Sequence, residues 1–174
     1  MYLNTVFLFS LVASTLALPT AISSRPHKRA ILTTQSYSQF QVSNGVGGNA
    51  LAEVAQKFPV DESNLADLDP EDLAIIKAAG EVAEDAEVGP GGFNEAIEAA
   101  GGKNTAAGKA LQVGKIKNKV LKLQLSVLAL GAEVAQGRTD RAAKLQEQKT
   151  KLAKNVQLDE DAAGQRSTPV NFQG

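Results

Sequence analysis

The chain has 174 residues, a net charge of −1, one histidine and no cysteine. Without cysteine it forms no disulfide bonds, so packing must supply its stability, and cysteine-based nucleophiles and metal sites are excluded. The single histidine, His27, lies in a segment that we expect to be removed, which excludes histidine-based catalytic or metal sites from the mature chain.

The chain begins with a pattern typical of a secretory signal. Residues 5–18 form an apolar run interrupted only by serine and threonine, and it is shorter than the roughly 20 residues of a membrane-spanning helix. The small residues Thr15 and Ala17 fit the positions that a signal peptidase recognises. We predict a signal peptide over residues 1–17, cleaved after Ala17, no transmembrane segment, and a secreted, extracellular product.

A dibasic pair, Lys28-Arg29, follows shortly after the signal. It predicts a second cleavage, after Arg29, that removes a pro-segment of residues 18–29. A basic turn on a flexible arm is the alternative interpretation. With both cuts the mature chain begins at Ala30, and its length fits a single domain with its own core.

Residues 30–42 are rich in serine, threonine and glutamine, and we expect them to lie extended across the helices with Phe40 as an anchor. The glycine-rich residues 43–49 then lead into a predicted helix over 50–58, with Asn49 as its N-cap. A glycine-rich loop before a helix can also bind phosphate. No strand precedes this loop and no Lys-Ser/Thr pair follows it, so a simple turn is favoured.

The next helix has a well-marked start. Residues 61–68 form an acidic connector with at most one helical turn. Asp69 is a suitable cap and Pro70 suits the first helical position, which predicts a helix from there to Val88. A shorter helix should follow over 93–100.

The longest predicted helix runs from Thr105 to Gln136, with Asn104 or Thr105 as its cap, and Gly137 marks its end. Two apolar rows with spacings of three and four lie about 150° apart around it, so it should be buried between its neighbours. The first row is Val113, Ile116, Val120, Leu123, Val127, Leu130 and Val134, and the second is Leu121, Leu125, Leu128 and Ala132. Its interior glycines, Gly108, Gly114 and Gly131, indicate either a kink or close helix contacts.

A short turn leads to the last predicted helix, residues 140–158, with Thr139 as its cap, and forces the two helices to lie antiparallel. The tail, residues 159–174, should be flexible unless Val170 and Phe172 dock. The sequence therefore predicts an all-α fold. It is a small helical bundle of about five helices around one long central helix, with a C-terminal antiparallel helical hairpin, and its helical domain covers residues 30–158.

Charge is divided along the mature chain. Residues 30–102 carry 13 acidic and two basic side chains, whereas residues 103–174 carry 13 basic and six acidic ones. Lys115, Lys119 and Lys122 share one stripe of the central helix, where acids of the preceding long helix could meet them. We expect the opposite charges to guide docking of the halves, with about 0–1 kcal/mol from each exposed pair.

The same charge also suggests a basic surface on the last helix that binds a partner. The residues that would form it are Lys144, Lys149, Lys151 and Lys154. The partner would be an unknown protein or an anionic surface. Nucleic acid is disfavoured, because the region has almost no aromatic side chains to stack on bases.

Two carboxylate clusters remain as candidates for chemistry. Glu84, Asp85 and Glu87 lie in the predicted helix that ends at Val88, and Asp159, Glu160 and Asp161 lie in the tail. Both lie in polar stretches without an apolar pocket that would raise a pKa. The spacing of a calcium-binding loop is absent. We therefore predict a non-enzymatic protein that uses no cofactor.

The stretch YSQFQVSNGVGGNA, residues 37–50, together with the signal peptide and the dibasic site, resembles a group of small secreted proteins of filamentous fungi with unknown activity. The DPEDL helix start at Asp69 fits the same group. The resemblance implies a cysteine-poor secreted protein, and for some members a role as an effector at the host interface. It assigns no functional residues.

The leading functional hypothesis is a secreted, non-enzymatic interaction protein. It would bind a host or cell-surface partner, as a monomer or weak oligomer. A lipid-binding or membrane-surface-binding helical protein is the first alternative. The second alternative is a structural protein that self-assembles through the first apolar row of the central helix, which forms a heptad seam.

Overall fold

The computed structural model describes residues 30–173, so the predicted cleavage residues Ala17, Lys28 and Arg29 lie outside the described part of the chain. Residues 30–173 form six α-helices, two short 3₁₀-helices and no β-strand. The α-helices are α1 (Tyr37–Phe40), α2 (Ala50–Lys57), α3 (Pro70–Val88), α4 (Phe93–Ala99), α5 (Ala106–Ala135) and α6 (Ala142–Asp161), and the 3₁₀-helices are Glu62–Asp67 and Thr139–Arg141. The predicted all-α fold is confirmed.

The long helix α5 is the centre of the molecule. It is continuous for 30 residues and half of them are buried. Val120 of the first apolar row is fully buried, and so is Leu121 of the second. The helices α2, α3, α4 and α6 all pack against α5, which confirms the prediction of a central helix covered on two sides.

Local signals at the helix ends behave as predicted. The Thr105 hydroxyl accepts a 3.0 Å hydrogen bond from the amide of Gly108 at the start of α5, and Asp69 accepts one of 2.8 Å from Glu71 at the start of α3. Gly137, with a φ of +102°, ends α5 in the left-handed conformation that favours glycine.

The interior glycines of α5 mark close contacts. A Cβ atom on Gly114 would overlap the carbonyl oxygen of Thr168, and one on Gly131 would lie 2.8 Å from the Leu65 side chain. Since α5 runs without interruption through both positions, close packing, and not a break in the helix, explains these residues.

Two predicted caps need correction. Asn49 occupies the N-cap position of α2, but its side chain makes no capping hydrogen bond. Asp159 of α6 accepts the Ala50 amide instead, at 2.8 Å, because the end of α6 lies against the start of α2. Thr139 does not cap α6 but begins a 3₁₀ turn, so the α-helix starts at Ala142.

The glycine-rich residues 43–49 pair with the C-terminal segment. The Gly47 amide donates to the carbonyl of Gln165 at 3.0 Å, and the Gly164 amide donates to Gly47 at 3.1 Å. A side chain on Gly47 would come within 2.6 Å of the Ala162 carbonyl oxygen. The glycines therefore permit two backbone segments to lie in contact, and the Gly47 amide already has a protein partner.

The tail is shorter than the sequence predicts, and part of it packs on the core. The last helix ends at Asp161, three residues beyond the predicted Leu158. Val170 is buried and Phe172 is partly buried against the same core, with the Phe172 ring 5.8 Å from that of Tyr37. Val170 and Phe172 therefore dock, which is the case in which the sequence does not predict a flexible tail.

The N-terminal segment was expected to be extended, but it contains the single-turn helix α1. Tyr37 and Phe40 on this turn are buried, and their rings meet edge to face. The Phe40 ring also contacts Phe58 at the end of α2. The predicted anchoring role of Phe40 is confirmed, because an aromatic ring buried at this position ties the segment to the core.

Candidate functional site

A groove of about 830 Å³ lies between α3 and α6, with α5 as its floor. Its volume is in the range of sites that bind small molecules or short segments of other proteins. Apolar side chains of α3 and α5 form the floor, and charged side chains of all three helices form the rims. The apolar floor residues are Ile76, Leu123, Leu125, Ala129 and Leu130.

The sequence of α6 explains why the groove stays open. The three residues that α6 buries, Gln148, Asn155 and Asp159, are all polar. Gln148 and Asn155 line the groove, so this wall offers hydrogen-bonding groups where a core helix would offer leucine or valine. A polar wall lacks the apolar surface that would draw α6 towards α3 and close the gap.

One rim of the groove holds two lysines that share one carboxylate. Glu147 accepts hydrogen bonds from Lys144 at 2.8 Å and from Lys151 at 2.6 Å. These two bonds lower the pKa of Glu147 to about 2. The trio therefore carries a net charge of +1 at neutral pH, because one negative charge is opposed by two positive ones.

The end of the groove near the α5–α6 turn repeats this arrangement. Glu133 accepts a 2.5 Å hydrogen bond from Lys77 and lies 3.6 Å from Arg141. The hydrogen bond from Lys77, followed by the charges of Lys77 and Arg141, lowers the pKa of Glu133 below its ordinary value. This second trio also has one more positive than negative charge.

At the other end, α3 and α5 are joined by a cluster around Glu87. Lys122 contacts Glu87 at 2.7 Å, and Lys115 and Lys119 each lie 3.7 Å from it. Burial opposes ionisation of Glu87, but the hydrogen bond from Lys122 and the three lysine charges outweigh it, so its pKa is lowered. The predicted meeting of the α5 lysine stripe with acids of α3 is confirmed.

The structure separates the four lysines that were grouped as a partner-binding surface. Lys144 and Lys151 line the groove. Lys149 lines a different depression, next to Leu51 and Gln124, and Lys154 is exposed elsewhere on α6. The two groove lysines are seven residues apart and share a helix face, whereas Lys149 projects from the opposite side.

Comparison with known protein families matches residues 32–171 to a domain of unknown function, DUF8454. The chain belongs to the DUF8454 family. No curated protein and no solved structure matches it. All the residues that form the groove fall within the matched range, so the groove is part of the DUF8454 domain.

The most buried charged group of the DUF8454 domain escaped the sequence analysis. Lys117 is completely buried, and its Nζ atom donates to the carbonyls of Asn44 and Val46 and to the carboxylate of Glu53, at 2.8 to 3.0 Å. A signal was available. Lys117 lies four residues from Val113 and from Leu121, which places it on an apolar face of α5.

The carboxylates in and beside the DUF8454 groove favour their ionised forms. The shifted carboxylates of Glu87, Glu133 and Glu147 all have lowered pKa values, whereas a general acid near neutral pH needs a raised one. Residues 30–173 contain no cluster of acidic or histidine side chains that could hold a metal ion. Within the same residues, no helix combines the length and apolar character needed to cross a bilayer.

Proposed function

We propose that this DUF8454 protein is a secreted, non-enzymatic interaction protein that binds a host or cell-surface protein through the groove between α3, α5 and α6. The observation that carries the proposal is an apolar floor enclosed by charged rims in which carboxylates are outnumbered by the cations that contact them. The signal-peptide pattern of residues 1–17 supports secretion. The resemblance to small secreted fungal proteins supports an effector-like role in a filamentous fungus.

The groove specifies the chemistry of its occupant. Leu130 of the floor is partly exposed, whereas the other four floor residues are buried, so the floor offers an occupant a small apolar contact area. Both rim trios, at Glu147 and at Glu133, carry an excess positive charge. A protein segment with a single apolar side chain flanked by aspartate or glutamate would complement both features.

The structure bears on the two alternatives. Self-assembly through the heptad seam would need the seam to be exposed, yet Val113, Val120 and Leu123 are covered within a single chain. Lipid binding would need a continuous apolar face. The large exposed apolar residues of 30–173 are instead scattered over the N-terminal segment, the glycine-rich loop and three helices: Ile31, Val46, Leu51, Val88 and Leu158.

Selection from a random peptide library displayed on phage, with the chain from Ala30 as the target, tests the proposal. We expect enriched peptides to combine apolar residues with acidic neighbours. The double variant Lys144→Gln/Lys151→Gln should weaken their binding about tenfold, because each glutamine keeps most of the side-chain length and removes a rim charge. Binding is measured by isothermal titration calorimetry with the enriched peptides.

The matched control is Lys149→Gln/Lys154→Gln, which changes the net charge by the same amount on the same helix but outside the groove. It should leave the peptide affinity within about twofold. Equal losses in the two double variants, or no peptide enrichment, would contradict the groove as the binding site. Flotation of the protein with anionic vesicles, in the absence of peptide enrichment, would favour the lipid alternative.

A further inference from the structure

Asp72, in the first turn of α3, is a buried carboxylate that accepts hydrogen bonds from the start of the described chain. It is 3% exposed. Its Oδ1 atom accepts the amides of Ile31 at 3.0 Å and Leu32 at 2.8 Å, and its Oδ2 atom accepts the Ile31 amide at 3.1 Å. Within residues 30–173, no lysine or arginine forms an ion pair with it.

A buried carboxylate without a cation is costly, even with amide donors around it. The backbone nitrogen that precedes these donors belongs to Ala30, the residue after the dibasic pair Lys28-Arg29. Backbone bond lengths keep the nitrogens of Ala30 and Ile31 within about 4 Å of each other. With the Ile31 amide 3.0 Å from Oδ1 of Asp72, the Ala30 nitrogen therefore lies within about 7 Å of that carboxylate.

We propose that Asp72 is the binding site for the α-ammonium group that appears on Ala30 when the chain is cut after Arg29. A dibasic-specific protease hydrolyses the Arg29–Ala30 peptide bond. Water supplies the hydroxyl that completes the Arg29 carboxyl group, and the Ala30 nitrogen leaves as an amine that is protonated near neutral pH. A neutral amide thus becomes a cation near a buried carboxylate that has no ion pair within residues 30–173, and the two form an ion pair.

This ion pair would fasten the N-terminal segment over the core. Residues 32–35 lie across α3 and close a cavity of about 190 Å³, whose apolar lining includes Phe40, Phe58, Ile75 and Val82. Leu32, next to the Asp72 contact, is buried in the same cluster as Phe40 and Phe58. Cleavage would therefore stabilise a domain that is already folded, and the mature form should unfold at a higher temperature than its precursor.

The test compares one protein before and after cleavage. The precursor from Leu18 is purified, half of it is cut after Arg29 with a kexin-type protease, and mass spectrometry verifies the product. We expect cleavage to raise Tm by about 3 °C or more, as a partly buried ion pair would in a domain of this size. In Asp72→Asn, cleavage should leave Tm unchanged, whatever the starting stability of the variant.

Glu71→Gln is the matched control. It removes the neighbouring carboxylate of the same helix turn, which is exposed, and it should retain the increase on cleavage. Hydrogen exchange of the Ile31 and Leu32 amides is measured on the wild-type protein, so this readout does not depend on whether a variant folds. Their exchange should slow several-fold on cleavage. An unchanged Tm and unchanged exchange, or an equal increase in Asp72→Asn, would overturn the proposal.

Discussion

The hydroxyl group of Tyr37 donates a 2.9 Å hydrogen bond to Oδ1 of Asn118, which lies 81 positions further along the chain. The amide of the same Asn118 side chain donates to the carbonyl of Ala83 at 2.8 Å. One buried asparagine of α5 thereby joins α1 and α3. The Tyr37 ring also meets Phe172, so this contact fixes the N-terminal and C-terminal segments at one place on the central helix.

The ionisation of Tyr37 provides the first prediction. Burial raises the pKa of Tyr37 from 10.0 to about 12. The other tyrosine, Tyr2, is absent from a chain that begins at Ala30, so the phenolate absorbance of that chain reports on Tyr37 alone. We expect a midpoint near pH 12 for the folded protein and near pH 10 in urea.

The sign of the stability effect follows from this shift. The folded state keeps the Tyr37 proton at pH values where the unfolded state releases it, so stability is full below pH 10 and falls as pH rises towards 12. Tyr37→Phe should remove this component of the pH dependence. A folded-state midpoint near pH 10 would show that the Tyr37 hydroxyl is accessible to water.

Those parts of the fold that depend on short-range spacing could be predicted from the sequence. The two apolar rows of α5, the Thr105 cap and the Asp69-Pro70 start of α3 all follow from residues within one or two helical turns. The groove could not be predicted, because it depends on how α3 and α6, far apart in sequence, are placed around α5. Docking of Val170 and Phe172 stayed open for the same reason, since the Phe172 ring meets the distant Tyr37.

The sequence prediction differs from the structure at two sets of charged residues, the buried Lys117 and the lysines of α6. Lys117 was overlooked because lysine is rarely buried without partners, and its partners are carbonyls of a loop more than 70 positions away. The lysines of α6 were grouped by their proximity in sequence, although their helical positions divide them. A helical projection that includes charged residues separates Lys149 from Lys144 and Lys151 without any structure.

Removal of the buried Lys117 charge gives the second prediction. Lys117→Met keeps most of the side-chain volume but leaves the carbonyls of Asn44 and Val46 without their donor. We expect a loss of about 2–4 kcal/mol in the free energy of unfolding, because each buried group left unpaired costs about 1–3 kcal/mol. Urea denaturation measures it.

Lys109→Met is the control, since Lys109 is an exposed lysine of the same helix. It should change the stability by less than about 0.5 kcal/mol. Equal, small effects of the two substitutions would show that water takes the place of the Lys117 ammonium group in the loop.

Glycine-to-alanine substitutions on two packed helices give the third prediction, with opposite signs. A Cβ on Gly114 of α5 would overlap the Thr168 carbonyl oxygen and lie 3.0 Å from the Phe93 ring, whereas one on Gly80 of α3 would lie 3.7 Å from Leu125, an ordinary contact. We expect Gly114→Ala to destabilise by about 1–3 kcal/mol and Gly80→Ala to stabilise by about 1 kcal/mol through helix propensity.

Thermal unfolding of the two variants and the wild type measures both effects in one experiment. Gly114→Ala should also increase hydrogen exchange at Thr168, whose amide donates to the Ala110 carbonyl at 3.0 Å, because the C-terminal segment must move away. Stabilisation by both substitutions would mean that the segment shifts without cost.

The Glu87 cluster gives the last prediction, on pH. Because the lysines hold the pKa of Glu87 below 4.5, the folded state binds fewer protons than the unfolded state in acid. The stability from Glu87 is therefore present above pH 4.5 and is lost as pH falls through the lowered pKa. Glu87→Gln should reduce the free energy of unfolding by about 1–2 kcal/mol at neutral pH, and the two proteins should converge in acid.

Glu84→Gln separates this effect from a general loss of negative charge. Glu84 also contacts Lys122, at 2.5 Å, but its side chain is 49% exposed, against 10% for Glu87. An exposed pair contributes about 0–1 kcal/mol, so the free energy of unfolding of this variant should lie closer to that of the wild type at every pH. The free energy of unfolding of Glu87→Gln could instead run parallel to that of the wild type down to the acid limit. Glu87 would then stabilise by packing alone, with no contribution from its charge to the contacts with the three lysines.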